Sequence, residues 1–193
     1  AQTAEEAVSI ARNVGLPVAL KVSSPDVAHK SDVGGVQVNL TSEDAIREGF
    51  DAITKSVKKA RPNATLDGVS VQPMAQPGIE IIIGLTIDPQ FGPLIMFGLG
   101  GVHVEVLKDV AFRLVPLSQY DACTMIQEIR GLPLLTGHRG QAAVDLTALE
   151  QTLLALSALA EAQPDIQELD LNPIFAYDDG CLAVDARVVI RSK

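Results

Sequence analysis

The sequence predicts an α+β protein made of two lobes with largely antiparallel sheets. Helical and strand patterns alternate in both halves, and several strands follow one another closely enough to pair as hairpins. A connector that contains Pro and Gly, residues 74–78, separates the two halves. We therefore assign residues 1–74 to a first lobe and residues 75–193 to a second.

Composition restricts the possible classes of function. With 193 residues, 47% apolar and 20% charged, the chain can bury a core in one domain or in two small lobes. The formal charge of −9 argues against nonspecific binding to nucleic acid or to anionic membranes. It leaves ATP possible, because a phosphate site needs only local positive charge and backbone N–H groups.

The sequence also indicates where the protein works. It has no apolar run of about 18 residues that would cross a membrane, and its first residues lack a signal-peptide pattern. Cys123 and Cys181 match no metal spacing and make no disulfide framework. We therefore expect a cytoplasmic protein. Because the chain lacks an initial Met and opens almost directly into a helix, we expect an N-terminally truncated first lobe.

The first half is predicted to hold two helices and three strands. Thr3 and Glu6 form a capping-box pattern at the start of the first helix. The second helix carries apolar residues at helical spacing, among them Ile46 and Ile53. The predicted elements are helix 3–13, strand 18–22, strand 36–40, helix 42–60 and strand 68–73.

The second half is predicted to be richer in strands. One helix is predicted at 118–130, and another starts at the Thr147–Glu150 capping pattern and ends near residue 162. Residues 132–140 are predicted to be an irregular loop. The predicted strands cover residues 80–87, 93–97, 102–107, 111–117, 166–171, 173–177 and 181–190.

Lys21 is the charged residue in the apolar strand 18–22. An unpaired buried ammonium is costly, so its position favours an anionic partner. A Lys that snorkels from the end of a strand into water would give the same pattern. The strand by itself leaves both interpretations open.

The loop 23–35 is longer than a hairpin between two short strands requires. It offers the Ser31 hydroxyl and the free N–H groups of Gly34 and Gly35, which are groups that cradle phosphates. His29, next to Lys30, could act as a nucleophile towards a phosphoryl group. The alternative is a mobile surface loop with an idle histidine.

A hairpin signal, Asp178-Asp179-Gly180, lies near the C-terminus. If its loop has two residues, the side chains of Asn172 and Asp185 fall on one face of the sheet. A three-residue loop would put them on opposite faces unless a bulge intervened. Oxygen ligands on one face suit Mg with ATP phosphates, although a strand whose polar residues face water fits the alternation equally well.

Several weaker features accompany these. The stretch 98–101, Gly-Leu-Gly-Gly, is not a Rossmann fingerprint, and it either lets backbone approach a ligand or bulges a strand. Glu105 and Asp109 could reach the same cleft, and Arg139 is a further cation in a Gly-flanked loop. His103 and His138 are interpreted as structural or incidental.

Taken together, these motifs resemble the ATP-grasp domain of the ADP-forming acyl-CoA (acetyl-CoA) synthetase family. They span nearly the whole chain in the family's order, and it is the ordered set that is specific. The matching stretches are Ala19-Leu20-Lys21, Ser24-Pro25-Asp26 with residues 29–36, residues 92–101, Leu135-Thr136-Gly137 with Arg139-Gly140, and residues 169–173 with Asp185.

The resemblance implies ATP or ADP and Mg as cofactors, bound between two α+β lobes. His29 would be the catalytic residue and would pass a phosphoryl group between the nucleotide and a partner domain. Lys21 would contact the phosphates, and Asn172 and Asp185 would carry Mg. The nucleotide pocket would also include Gln72 and Met74, whose stretch would hold the adenine through backbone groups, and Glu80.

The implied reaction converts acyl-CoA, ADP and phosphate into acid, CoA and ATP, and runs in reverse. The expected partners are CoA-binding and ligase domains of the same chain or of a partner subunit. Without them, the chain would bind nucleotide at best.

Three alternatives remain open at this point. Some bacterial protein lysine acetyltransferases carry a similar domain that can be degenerate and regulatory. A plain interaction domain without a ligand is a second alternative. The succinyl-CoA synthetase β subunit ranks lower, because the loop 23–35 looks like that of the broader acyl-CoA synthetase group.

Overall fold

A computed structural model of the chain describes residues 1–27, 29–101, 109–138, 140 and 142–191. The chain divides into two compact units, Ala1–Met74 and Ala75–Lys193. Each unit has a hydrophobic core of its own. No helix in the described ranges is long and apolar enough to cross a membrane.

The first unit is a three-stranded antiparallel sheet with two helices. Its sheet has the order β2-β1-β3. A single 3-10 turn, Ser31–Val33, lies in the loop between β1 and β2. The elements are α1 (Ala4–Val14), β1 (Val18–Ser23), β2 (Val36–Leu40), α2 (Glu43–Ala60) and β3 (Gly68–Pro73).

Both helices of this unit pack on one face of its sheet. Val18, Leu20 and Val22 of β1 enter the core with Ile46 and Ile53 of α2. Because side chains alternate along a strand, the residues between them point to the other face.

The predicted cap of α1 is confirmed only in part. The Thr3 Oγ1 accepts the Glu6 N–H at 3.2 Å. The Glu6 carboxylate, however, accepts the N–H of Gln2 at 2.7 Å, one residue before the position that a capping box requires.

The second unit is built on a larger antiparallel sheet with the order β6-β5-β4-β7-β8, in which β9 also pairs with β7. All strand pairs in the described part of the chain are antiparallel, so the predicted fold class is confirmed. The elements are β4 (Ile79–Asp88), β5 (Gly92–Leu99), β6 (Val110–Leu114), α3 (Gln119–Glu128), α4 (Leu132–Leu135), α5 (Leu146–Ala162), β7 (Ile166–Tyr177), β8 (Gly180–Ala183) and β9 (Ala186–Ile190).

Helices α3 and α5 cover one face of this sheet. Ile81, Ile83, Ile95 and Phe97 are fully buried beneath them. The side chains that alternate with these residues point to the opposite face. This opposite face of the second sheet carries the polar residues of β7.

Several predicted boundaries differ from the structure. The strands expected at 166–171 and 173–177 are one strand, β7, and the strand expected at 181–190 is broken between β8 and β9. Part of the loop expected at 132–140 is the short helix α4. The strand expected at 102–107 lies outside the described residues.

The N-terminal cap of α5 is also not the predicted one. Asp145, rather than Thr147, caps the helix, because its Oδ1 accepts the Ala148 N–H at 3.0 Å. Thr147 therefore lies inside the first turn.

Candidate functional site

Lys21 lies on the face of the first sheet that is turned away from the helices. It is only 6% exposed, and Ser70 of β3 is its direct cross-strand neighbour. Gln72 pairs with Ala19, so Lys21, Ser70 and Gln72 share this face. The register thus brings two sequence-predicted residues together and adds Ser70, which the sequence does not predict.

Ser70 is tied to the strand that carries Lys21. Its hydroxyl donates to the Lys21 carbonyl oxygen at 3.3 Å. In the sequence, the signal that could have identified Ser70 is its position two residues before Gln72 on the same strand. That spacing does not tell which residue stands opposite Lys21, because this depends on the strand register.

Met74 is held firmly at the end of the first unit. Its N–H donates to the Pro17 carbonyl oxygen at 3.0 Å, and its Sδ accepts the Asn39 N–H at 3.4 Å. The Met74 N–H is thus already used inside the first unit.

The histidine loop (residues 23–35) presents His29 at an exposed position. The Gly34 N–H donates to the Ser31 carbonyl oxygen at 3.1 Å, and the Gly35 N–H donates to the Lys30 carbonyl oxygen at 2.7 Å. The expectation that both amides are free is therefore wrong in this conformation, because the 3-10 turn closes the loop on itself. To cradle a phosphate with these amides, the loop must first release these bonds.

The two glycines also have packing reasons to be glycine. Gly34 has φ +66°, which side chains rarely adopt. A Cβ at Gly35 would lie 2.6 Å from the Val22 Cγ1 and 2.8 Å from the Lys30 carbonyl oxygen. The Gly-Gly pair is thus needed to close the loop, whether or not it also meets a ligand.

The Asn–Asp hairpin (residues 172–185) has the geometry predicted for a two-residue loop. Tyr177 pairs with Gly180, which leaves Asp178 and Asp179 as the loop. The Asn172 N–H donates to the Asp185 carbonyl oxygen at 3.2 Å, so the two residues stand directly opposite each other. Their side chains therefore share one face of the second sheet, as expected.

Glu80 lies against the glycines that follow β5. Its carbonyl oxygen accepts the Gly100 N–H at 2.6 Å, and a Cβ at Gly100 would lie 3.0 Å from the Glu80 Cβ. Gly101 has φ +62°, and a Cβ there would lie 2.8 Å from the Glu80 Oε2. The glycines allow backbone to pass close beside Glu80, whose side chain is exposed.

Asp109 has a structural role. It is 8% exposed, and its two carboxylate oxygens accept the N–H groups of Arg130 at 2.8 Å and Gly131 at 2.7 Å. These bonds hold the backbone that leads into α4. His138 is exposed, whereas Glu105, His103 and Arg139 lie outside the described residues.

Tyr177 joins the Asn–Asp hairpin to the connector that precedes β4. Its hydroxyl donates to the Gln76 carbonyl oxygen at 2.8 Å. Burial raises the pKa of Tyr177, and the nearby Asp179 carboxylate raises it further. The phenol therefore stays protonated as a donor at neutral pH.

No group of three or more His, Cys, Asp or Glu side chains that could hold a metal is found in the described ranges. Asn172 and Asp185 provide two opposed oxygen donors in the second unit. Such a sparse set suits Mg, which usually keeps several waters and binds through one or two carboxylates together with substrate phosphates.

The profile of a family described as "ATP-grasp domain" matches residues 1–190. The acetate–CoA ligase [ADP-forming] I subunit beta of Pyrococcus furiosus is 45% identical over 190 residues, which cover 98% of this chain and 82% of that protein. This chain belongs to the ATP-grasp family of ADP-forming acyl-CoA synthetases. The expectation of a domain from an acid–CoA ligase is thereby confirmed.

Solved structures of this ATP-grasp family agree with the fold. The dinucleotide forming acetyl-coenzyme A synthetase 1 of Ca. Korarchaeum cryptofilum, in complex with coenzyme A, Ca-AMPCP and HgCl+, matches with a TM-score of 0.95 and 50% identity over 99% of this chain and 83% of that one. A second structure of that protein contains coenzyme A and Mg-AMPPCP, with the phosphohistidine segment pointing towards the nucleotide binding site. It matches with a TM-score of 0.82 and 48% identity over 97% of this chain and 82% of that one.

Proposed function

We propose that this chain binds Mg-ATP or Mg-ADP and that His29 carries a phosphoryl group between the nucleotide and a partner domain of an ADP-forming acid–CoA ligase. The observation that carries the proposal is the directly opposed pair Asn172 and Asp185. The exposed His29, on a loop of the first unit, supplies the acceptor.

The residues present fit a magnesium ion. The Asn172 amide oxygen and the Asp185 carboxylate are hard oxygen donors on one sheet face, and Asn172 is exposed. Bound there, Mg would neutralise charge on the nucleotide phosphates. The strand ladder keeps the two donors opposite each other before any ion arrives.

The other polar groups fit roles around a nucleotide. The buried Lys21 ammonium would contact the phosphates, with Ser31, Gly34 and Gly35 meeting them when the loop opens. Base recognition would use Gln72 and the carbonyl oxygen of Met74, and Glu80 would line the pocket.

The proposed step conserves atoms and charge. A neutral imidazole nitrogen of His29 attacks the γ-phosphorus of ATP, the bond from that phosphorus to the β,γ-bridging oxygen breaks, and ADP leaves. The imidazole N–H proton is released to solvent when the phosphohistidine is neutralised. In the reverse direction the phosphohistidine returns the phosphoryl group to ADP.

The whole reaction also needs sites for the acid and for CoA. We expect CoA-binding and ligase domains to supply the acid and CoA sites, with acetate as the first acid to test. Cys123 and Cys181 are free thiols, which fits a reaction in the reducing cytoplasm.

Thermal unfolding with and without Mg-ADP and Mg-ATP tests the nucleotide site. A ligand at 100 times its Kd should stabilise the protein by about 2.7 kcal/mol. In Asp185→Asn the carboxylate charge is lost but the shape is kept, so we expect an affinity about 100-fold lower and a stabilisation of about 0.4 kcal/mol. Asp178→Asn, in the turn of the same hairpin, is the matched control and should keep the full shift.

Labelling with γ-phosphate-labelled ATP tests the histidine. An acid-labile, base-stable label on the wild-type protein that disappears in His29→Asn is the expected result. A regulatory, degenerate domain such as that of some lysine acetyltransferases would bind nucleotide without taking up label, and that outcome would refute the phosphoryl-transfer proposal.

A further inference from the structure

Tyr177 ties the strand that carries Asn172 to the connector (residues 74–78). It lies in β7, five residues after Asn172. Its hydroxyl donates to the Gln76 carbonyl oxygen at 2.8 Å, across a sequence separation of 101 residues. Burial and the Asp179 carboxylate raise the pKa of the phenol, so it stays protonated and able to donate. One strand thus carries both Asn172 and the group that holds the connector.

The ring of Tyr177 contacts the connector as well. A Cβ at Gly78 would lie 2.9 Å from the Tyr177 Cε1 and 2.8 Å from the Ala176 carbonyl oxygen. The backbone of Gly78 therefore lies directly against β7, an approach that a residue with a side chain would not allow. The next residue, Ile79, pairs with Ala176 at the start of β4. Tyr177 thus touches the chain at two points just before it enters the sheet.

The hydroxyl contact matters because the connector is packed on one side only. Pro77 and Gly78 border a cavity of about 390 Å³, which is also lined by Ala142, Val144 and Asp178. Packing restrains a chain only where atoms touch it, so the connector has room to shift towards this cavity. Removal of the phenol oxygen should leave Gly78 against β7 and loosen the residues before it.

Met74 is held at the other end of the connector, inside the first unit. Its N–H donates to the Pro17 carbonyl oxygen, and its Sδ accepts the Asn39 N–H. Only Ala75 stands between Met74 and Gln76. A connector that is fixed this close to both ends presents its backbone groups in one arrangement, so a ligand that meets these groups need not order them when it binds.

We propose that Tyr177 is a positioning residue for the nucleotide base. Its hydroxyl holds Gln76, and thereby the connector that would meet the base, in a fixed relation to Asn172 on the same strand. This inference rests on the proposed function. Because Tyr177 acts through Gln76, it should affect the binding of the nucleotide and not the phosphoryl transfer step.

Three variants of the complete protein isolate the hydroxyl. Tyr177→Phe removes the donor and keeps the ring against Gly78. Tyr177→4-aminophenylalanine restores an N–H donor at the same ring position, as a rescue. Tyr120→Phe is the matched control, because Tyr120 is the second of the two tyrosines in the chain and is 76% exposed.

The decisive measurement is the dissociation constant for Mg-ATP, together with the rate of His29 labelling at saturating Mg-ATP. In Tyr177→Phe we expect the dissociation constant to rise about five- to tenfold, which is the effect of one lost hydrogen bond. The rate at saturation should stay within about twofold of the wild-type rate. The 4-aminophenylalanine variant should recover the affinity, and Tyr120→Phe should match the wild-type protein in both quantities.

The other outcomes are distinct. An unchanged affinity in Tyr177→Phe, or a labelling rate at saturation that falls as the affinity does, would overturn the positioning role. A low affinity that persists in the 4-aminophenylalanine variant would do the same, since it would show that the donor is not what matters. Absence of label on a wild-type protein that binds Mg-ATP would instead refute the phosphohistidine function, and the affinities would still test Tyr177.

Discussion

The histidine loop of the first unit and the Asn–Asp hairpin of the second unit hold their functional groups by opposite means. In the hairpin, β8 and β9 pair with β7 on either side of Asn172 and Asp185, and a backbone hydrogen bond joins these two residues. In the loop, His29 stands between Asp26, whose carboxylate accepts the Thr65 N–H, and a 3-10 turn. Local opening costs least where few bonds must break, so the loop can rearrange while the hairpin keeps its shape.

This difference matches the roles that we propose for the two sites. Metal ligands need a geometry that is set before the ion binds, and a sheet provides it. A group that carries a phosphoryl group must move, and a loop allows that. We expect variants in the two regions to fail in different ways.

The largest expected effect distinguishes a loss of phosphoryl transfer from a loss of nucleotide binding. His29→Asn should lower the overall ligase activity by about 10³-fold or more, because it removes the covalent carrier. Its thermal shift with Mg-ATP should persist, in contrast to that of Asp185→Asn. Activity assays and unfolding curves on both variants check this, with the exposed His138→Asn as the matched control. Substantial residual activity in His29→Asn would contradict the carrier role.

Truncation of buried side chains compares how much the core packing next to each region stabilises the protein. Phe97→Ala, beneath the sheet that carries the hairpin, should lower the free energy of unfolding by about 3–5 kcal/mol. Val27→Ala, at the base of the loop, removes two methyl groups and should cost roughly 1.6 kcal/mol. Urea unfolding measures both. Equal losses of unfolding free energy would show that packing at the base of the loop stabilises the protein as much as packing against the sheet does.

A pair of glycine variants tests the close approach beside Glu80. Gly101→Ala and Gly92→Ala both force a side chain to a positive φ, at +62° and +83°, at about 1–2 kcal/mol each. A Cβ at Gly92 would meet open space, so any additional loss of stability in Gly101→Ala measures the contact with Glu80. Weaker Mg-ATP binding in Gly101→Ala alone would place Glu80 at the nucleotide. Identical behaviour of the two variants would argue against that placement.

The smallest expected effect lies on the surface of the first unit. The hydrogen bond from Arg47 lowers the pKa of Glu5. A lowered folded-state pKa means that the pair stabilises the protein above the unfolded value of about 4.3, and that this contribution is lost as pH falls through the folded value. The unfolding midpoint at pH 7 should therefore exceed the midpoint at pH 3 by slightly less in Arg47→Gln than in the wild-type protein. Lys55→Gln, an exposed control on the same helix, should leave the difference unchanged.

Local signals in the sequence predicted much of this molecule. Thr3 caps the helix that follows, because a cap is a contact between near neighbours in the chain. The opposed positions of Asn172 and Asp185 follow from counting a two-residue turn. Both kinds of inference need no knowledge of distant segments.

Contacts between segments that are distant in the chain or folded back on themselves could not be predicted. Asp109 accepts backbone N–H groups more than twenty residues away, which its position in the sequence did not indicate. The amides of Gly34 and Gly35 looked free, but the loop uses them itself.

By itself, the sequence determined the fold class, the family resemblance and the candidate residues, since these depend on periodicity, turn chemistry and motif order. Tertiary structure alone decided that Ser70 faces Lys21 and that Asp26 holds the base of the histidine loop. The physical reason is that strand register and side-chain hydrogen bonds across 39 residues are set by packing of the whole unit, not by the residues on either side.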